Sequence, residues 1–163
     1  MTSAPVAGSA VVVAPPDFSP LVADAKMKRI LEKRWEETQN CMAAGAHLAA
    51  TVMMGGLLEG LLLARLNRLT DLRPVFTAAA TPKDKAGKSL PLKEWTLQHY
   101  IEVAHELKWI GRSAKDVGVV LRDYRNYIHP QKELSHGVDI GLDDTVMFWS
   151  VVSNLAAQII RSA

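Results

Sequence analysis

In the stretch Ala43–Ala64, AAGAHLAATVMMGGLLEGLLLA, only His47 and Glu59 are ionisable. A run of this length and apolarity fits either a membrane span or the central helix of a soluble bundle. Four glycines (Gly45, Gly55, Gly56 and Gly60), a carboxyl inside the run at Glu59, and amphipathic segments elsewhere in the chain favour the bundle. No membrane association is expected, and the glycines let neighbouring helices approach closely.

Upstream, Leu21, Ile30, Leu31, Trp35 and Thr38 keep an approximate 3.6-residue period, with Lys26, Lys28, Arg29, Lys33, Glu36 and Glu37 mostly off that stripe. This predicts an amphipathic surface helix. Ser19 as N-cap with Pro20 at the first helical position predicts its start. Residues 1–16, MTSAPVAGSAVVVAPP, carry no charge and too little apolar surface to bury, and lack the basic start and long apolar stretch of a secretory signal. A disordered tail is expected over residues 1–17, and a helical domain over 18–163.

Downstream, residues 70–91 hold three prolines, a glycine and the run Lys83-Asp84-Lys85, which predicts a long mobile or functional loop. Helix is expected from about Leu92 to Trp109, with Gly111 as its stop. Ser113 with Asp116 resembles a capping box that opens a fourth helix ending at His129, because Pro130 disfavours helix in the residue before it. Residues 131–141 read as a loop. A last helix is expected over about Asp143–Arg161, with Val146, Trp149, Val152, Leu155, Ala156, Ile159 and Ile160 on its apolar face. No period-two run competes, so the fold class is all-α, a bundle of about five helices.

Composition bounds the function. With 163 residues the chain suits one domain, and 48% hydrophobic against 22% charged residues argues against wholesale disorder. A single Cys excludes a disulfide framework and a Cys-based zinc site, which fits a reducing, cytoplasmic setting. A net charge of +2 supplies no strong basic field, so any nucleic-acid contact must come from a local cluster.

Such a cluster sits on the fourth helix. With Arg122 at 0° and 100° per residue, Asn126 falls at about +40°, His129 at about −20° and Arg125 at about −60°. Val117, Val120, Tyr124, Tyr127 and Ile128 fall at about 140° to 240°, which reads as the core face and turns the polar stripe outward. Guanidiniums match phosphate oxygens and stabilise charge developing on phosphorus. An imidazole exchanges protons near neutrality without a metal, and Asn126 can orient either group. The competing reading is a solvated helix face with local partners such as Asp123.

The segment Leu121-Arg-Asp-Tyr-Arg-Asn-Tyr-Ile-His-Pro130 resembles the signature of the HEPN superfamily (higher eukaryotes and prokaryotes nucleotide-binding domain), an Arg and a polar residue followed by a His after four to six intervening residues. Arg122-Asp123 with His129 fits this spacing. Arg125-Asn126 has the favoured pair but a shorter interval, which makes Arg125 an auxiliary. The run Gly55–Leu63 also resembles the first long helices of the superfamily. The resemblance implies a helical homodimer that brings two Arg/His stripes to one cleft and acts as a metal-independent endoribonuclease of toxin–antitoxin or phage-defence type. It implies Arg122 and His129 as catalytic residues, with Arg125, Asn126 and Asp123 around the phosphate, and an antitoxin as one kind of partner. Some members lack activity, so a catalytically silent module binding a nucleotide, RNA or protein is the alternative.

Glu59, between leucines, is costly to ionise unless paired; it either contacts and orients Arg122 or Arg125, or simply emerges at a helix surface. His47, His99, His105 and His136 show no metal-ligand pairing, and no metal or cofactor is expected. Cys41 reads as a small apolar group. Neither phosphate-binding glycine loops nor a nucleophile elbow occurs.

Overall fold

A computed structural model describes residues 12–163; most of the expected tail, residues 1–11, lies outside them. Residues 13–16 are not a free tail. Gln39 holds Val13 through both backbone groups, accepting from its N–H at 2.7 Å and donating to its carbonyl at 2.7 Å, and the Trp35 indole donates to the same carbonyl at 3.1 Å.

The first helix does not start at Ser19. Phe18 and Leu21 are both buried, and the amides of Leu21 and Val22 close a turn on the Phe18 carbonyl. The chain must reverse there to bury both side chains, so the cap falls on Asp24, whose carboxylate accepts from the Met27 amide at 2.8 Å. Helix α1 runs Ala25–Ala43 and buries Leu31, Trp35, Thr38 and Gln39, while Ile30, expected on its apolar stripe, is exposed. Gly45, at φ 70°, turns the chain into α2, His47–Asn67.

Helix α2 is long and apolar enough to cross a membrane by length and composition. Here it is the core helix, packed against α1 and three later helices, with Met54, Leu57, Leu58, Leu61 and Leu62 buried on several faces. A helix apolar all round has no other way to satisfy its surface in a bundle.

The 70–91 segment is fastened along its length. It contains a short helix, α3 (Arg73–Thr77), and an isolated bridge between Lys83 and Ser89. Val75, Ala78 and Thr81 are buried. The Glu106 carboxylate accepts the amides of Ala79 and Ala80 at 2.7 and 2.8 Å, and the Trp95 indole donates to the Leu90 carbonyl at 2.9 Å. Side chains distant in sequence thus replace the water that a mobile loop would bind.

The third expected helix is split. Leu92–Glu94 forms a 3₁₀ turn, Trp95 is extended, and α4 runs Leu97–Glu106, opened by Thr96 and His99. Gly111 is not a stop but the N-cap of α5, Arg112–Arg125, which displaces the expected start at Ser113. The Gly111 amide is bonded by Gln158 at 2.7 Å, which ties the α4–α5 link to the last helix. The fourth helix also ends early: Asn126–Ile128 tightens to a 3₁₀ turn, His129 is extended (φ −85°, ψ 111°), and Pro130 opens α6, Pro130–His136, where a loop is expected. Helix α7, Leu142–Arg161, buries Phe148, Val152, Leu155, Ala156 and Ile159 and leaves Val146 exposed. Among the described residues there are seven α-helices and no strand, an all-α bundle around α2.

Candidate functional site

The orientation of α5 differs from the one read off its sequence. Its buried positions are Ala114, Gly118 and Leu121, a four-then-three spacing that continues to Arg125. On the frame above these lie at about −80°, −40° and −100°, so Arg125 at about −60° sits on the inward side. Val120 is 41% exposed and Ile128 52%. Val117, Tyr124 and Tyr127 are half-buried, Tyr124 against Phe148 of α7 with ring centroids 4.9 Å apart. Small residues, rather than the more numerous valines and tyrosines, face the core because α5 runs close to its neighbours. A Cβ at Gly118 would already stand 3.3 Å from Ile101 of α4.

Two guanidiniums are therefore held between helices. Arg125 Nη1 donates to Glu59 Oε2 of α2 at 2.9 Å, the contact anticipated for Glu59. Its stem lies over Gly55, where a Cβ would be 2.6 Å from Arg125 Cδ. The pair stays partly hydrated, with 30% of the Arg125 side chain and 39% of the Glu59 side chain exposed. Arg125 Nε and Nη2 have no partner among the described residues, so the fork keeps free donors.

Arg122 is more fully engaged. Its Nη1 donates to Gln98 Oε1 on α4, and its Nη2 lies 2.5 Å from Asp123 Oδ1. Gln98 is oriented in turn by donating to Glu102 at 2.9 Å. Arg122 Nε is buried without a partner among the described residues. Tyr100, beside this network on α4, donates to the Leu92 carbonyl at 2.7 Å, and burial foremost, then the Glu59 charge, holds its phenol above the ordinary value.

His129 is exposed, and no hydrogen bond or ion pair joins its ring to Arg122 or Arg125. Asn126 is half-buried and its carbonyl accepts the His129 amide at 3.2 Å. The helical stripe is thus broken after Arg125: the arginines are braced inward and the imidazole stands at the α5–α6 junction.

Gln98 escaped the sequence reading, as did the part that Glu102 and Gly55 play in seating the two arginines. Gln98 and Glu102 are one turn apart on α4, and Gly55 precedes Glu59 by one turn on α2, so each pair carried a spacing signal without a partner to interpret it. Among the described residues no group of three or more His, Cys, Asp or Glu is arranged for a metal. His47 meets Thr145 at 3.2 Å, His99 closes the Thr96 cap, and His136 meets the Tyr127 hydroxyl at 3.0 Å.

No protein-family model, curated protein or solved structure matches this chain.

Proposed function

We propose that the chain is a HEPN-like, metal-independent endoribonuclease, a toxin or phage-defence factor that works in the cytoplasm as a homodimer. The observation that carries this reading is at the end of α5. There Arg125, fixed by Glu59 and retaining free donors, lies four residues before the exposed ring of His129. Fixed donors aimed at a phosphate lower the barrier because they need no reorganisation as charge develops.

In the proposed reaction the ribose 2′-oxygen attacks the adjacent phosphorus, the P–O5′ bond breaks, and a 2′,3′-cyclic phosphate and a 5′-hydroxyl result. His129 takes the 2′ proton or supplies one to the departing 5′-oxygen. Arg125, rather than the Arg122 that the HEPN-like spacing favours, holds the phosphate, because its fork keeps free donors. Arg122 contributes once an incoming phosphate competes with Asp123, whose side chain is 56% exposed. A second copy supplies the other imidazole, so that acid and base act together.

Cleavage of RNA in EDTA tests the reading. His129→Ala and Arg125→Ala are expected to lose at least about a hundredfold in rate, the usual size of an acid–base or charge-stabilising contribution; either variant at full activity overturns it. One observation favours a silent binding module instead: Arg122 and Arg125 each already meet a carboxylate. RNA binding that falls steeply with salt, without product, would select that alternative.

A further inference from the structure

The concavity where the α4–α5 link meets the C-terminal end of α7 has no role in the proposed reaction. It is open to solvent, with a volume of about 490 Å³, and Lys108, Arg161, His105 and Trp109 are among its lining residues. No carboxylate side chain lines it. Lys108 and Arg161 have no ion-pair partner among the described residues. The side-chain carboxylates nearest Lys108 in sequence are engaged elsewhere: Glu106 takes the Ala79 and Ala80 amides, and Asp116 pairs with Arg112 at 3.8 Å.

The wall behind is also positive. Arg65 is buried, lies 4.5 Å from the centre of the Trp109 ring and donates to the Ser162 carbonyl at 2.6 Å. Burial first, and then the neighbouring Arg68 charge, lowers its affinity for its proton. The concavity is preformed, because Gln158 bonds Gly111 at 2.7 Å and is itself bonded to Asn154 at 2.5 Å.

We propose that this concavity binds a small phosphorylated molecule, its phosphate held by Lys108 and Arg161 and its organic body over the floor of the hollow, where the buried Trp109 and Ile110 show only an edge. A phosphate monoester carries about −1.5 to −2 charges near neutrality, which matches two exposed cations better than a single carboxylate does. Arg161 supplies a planar fork of donors and Lys108 a point charge, and His105 adds a donor when protonated. The site lies at the opposite end of α5 from Arg125, about 20 Å along a 14-residue helix, and stands apart from the ribonuclease reading.

Calorimetric titration of the full chain with AMP, inorganic phosphate and citrate tests it. AMP is expected to bind more tightly than inorganic phosphate. Arg161→Gln and Lys108→Asn, which leave thermal unfolding in place, are each expected to weaken AMP about tenfold, while Lys26→Gln, on the exposed face of α1, binds as the parent does. Absence of AMP binding at millimolar concentration, binding retained in the double variant, or citrate binding as tightly as AMP overturns the proposal. So does binding of a single-stranded RNA by a chain that does not bind AMP.

Discussion

Arg125 reaches Glu59 across Gly55: the guanidinium of α5 meets the carboxylate of α2 at 2.9 Å only because the residue between them on α2 has no side chain. A glycine missing its Cβ, an acid one turn later and an arginine on the facing helix make one unit. Several consequences can be measured.

Gly55→Ala and Gly56→Ala, adjacent on α2, are expected to shift stability in opposite directions. Gly56 is exposed with open space around its Cα, so alanine gains about 1 kcal/mol of helix propensity. At Gly55 the same gain is outweighed, because the new methyl pushes Arg125 off its seat, and a net loss of about 1 kcal/mol is expected. Urea unfolding of the two variants compares them. If Gly55→Ala were as stabilising as Gly56→Ala, Arg125 would not be seated there.

The fastening of residues 78–81 should be acid-labile. Hydrogen bonds from the Ala80 and Ala79 amides hold the Glu106 carboxyl below its ordinary 4.5. A carboxyl depressed in the folded state stabilises above its unfolded value and loses that contribution as pH falls through the folded one. Relative to the intrinsic exchange rate, the protection of the Ala79 and Ala80 amides should therefore fall below about pH 4.5, ahead of global unfolding. In Glu106→Gln these amides should show no such fall between about pH 4.5 and the onset of acid unfolding.

Gln39→Leu should release residues 12–16 from α1. The variant removes both Gln39 bonds to Val13 and leaves only the Trp35 indole on that carbonyl. A loss of about 1–3 kcal/mol is expected, with a red shift in the emission of Trp35, whose ring lies 4.5 Å from that of Trp149. Unchanged emission would mean that the strap holds without Gln39.

Lys108 sits at φ 62°, a left-handed conformation that costs an L-residue about 1–2 kcal/mol. Lys108→Gly relieves that strain against a smaller loss of chain entropy, and a gain of about 0.5–1 kcal/mol is expected in thermal unfolding. A destabilised Lys108→Gly would show that the lysine stem contributes packing that outweighs the strain.

Much of the fold was legible along the chain. The all-apolar run around Leu57–Leu62 marks the core helix, and the spacing of Val152, Leu155, Ala156 and Ile159 sets α7 nearly to its ends. Helix starts were less legible. Ser19 and Ser113 are good caps in isolation, but the burial of Phe18 and Leu21 and the bond from Gly111 to Gln158 moved both starts. The helical turn Pro130–His136 was missed because it buries no residue and so leaves no periodic trace.

By itself the sequence determined that this protein is a helical bundle and that two arginines and a histidine fall within a short span of chain at the end of one helix. Helical periodicity and the placement of Pro130 suffice for that, since both act through neighbours in the chain. Only the tertiary structure decided where those groups point. Counting apolar side chains turned α5 outward at Arg122 and Arg125, but packing favours close approach through Ala114, Gly118 and Leu121. The arginines follow that face inward because Gly55, Glu59 and Gln98, on other helices, supply the space and acceptors that make a half-buried charge tolerable.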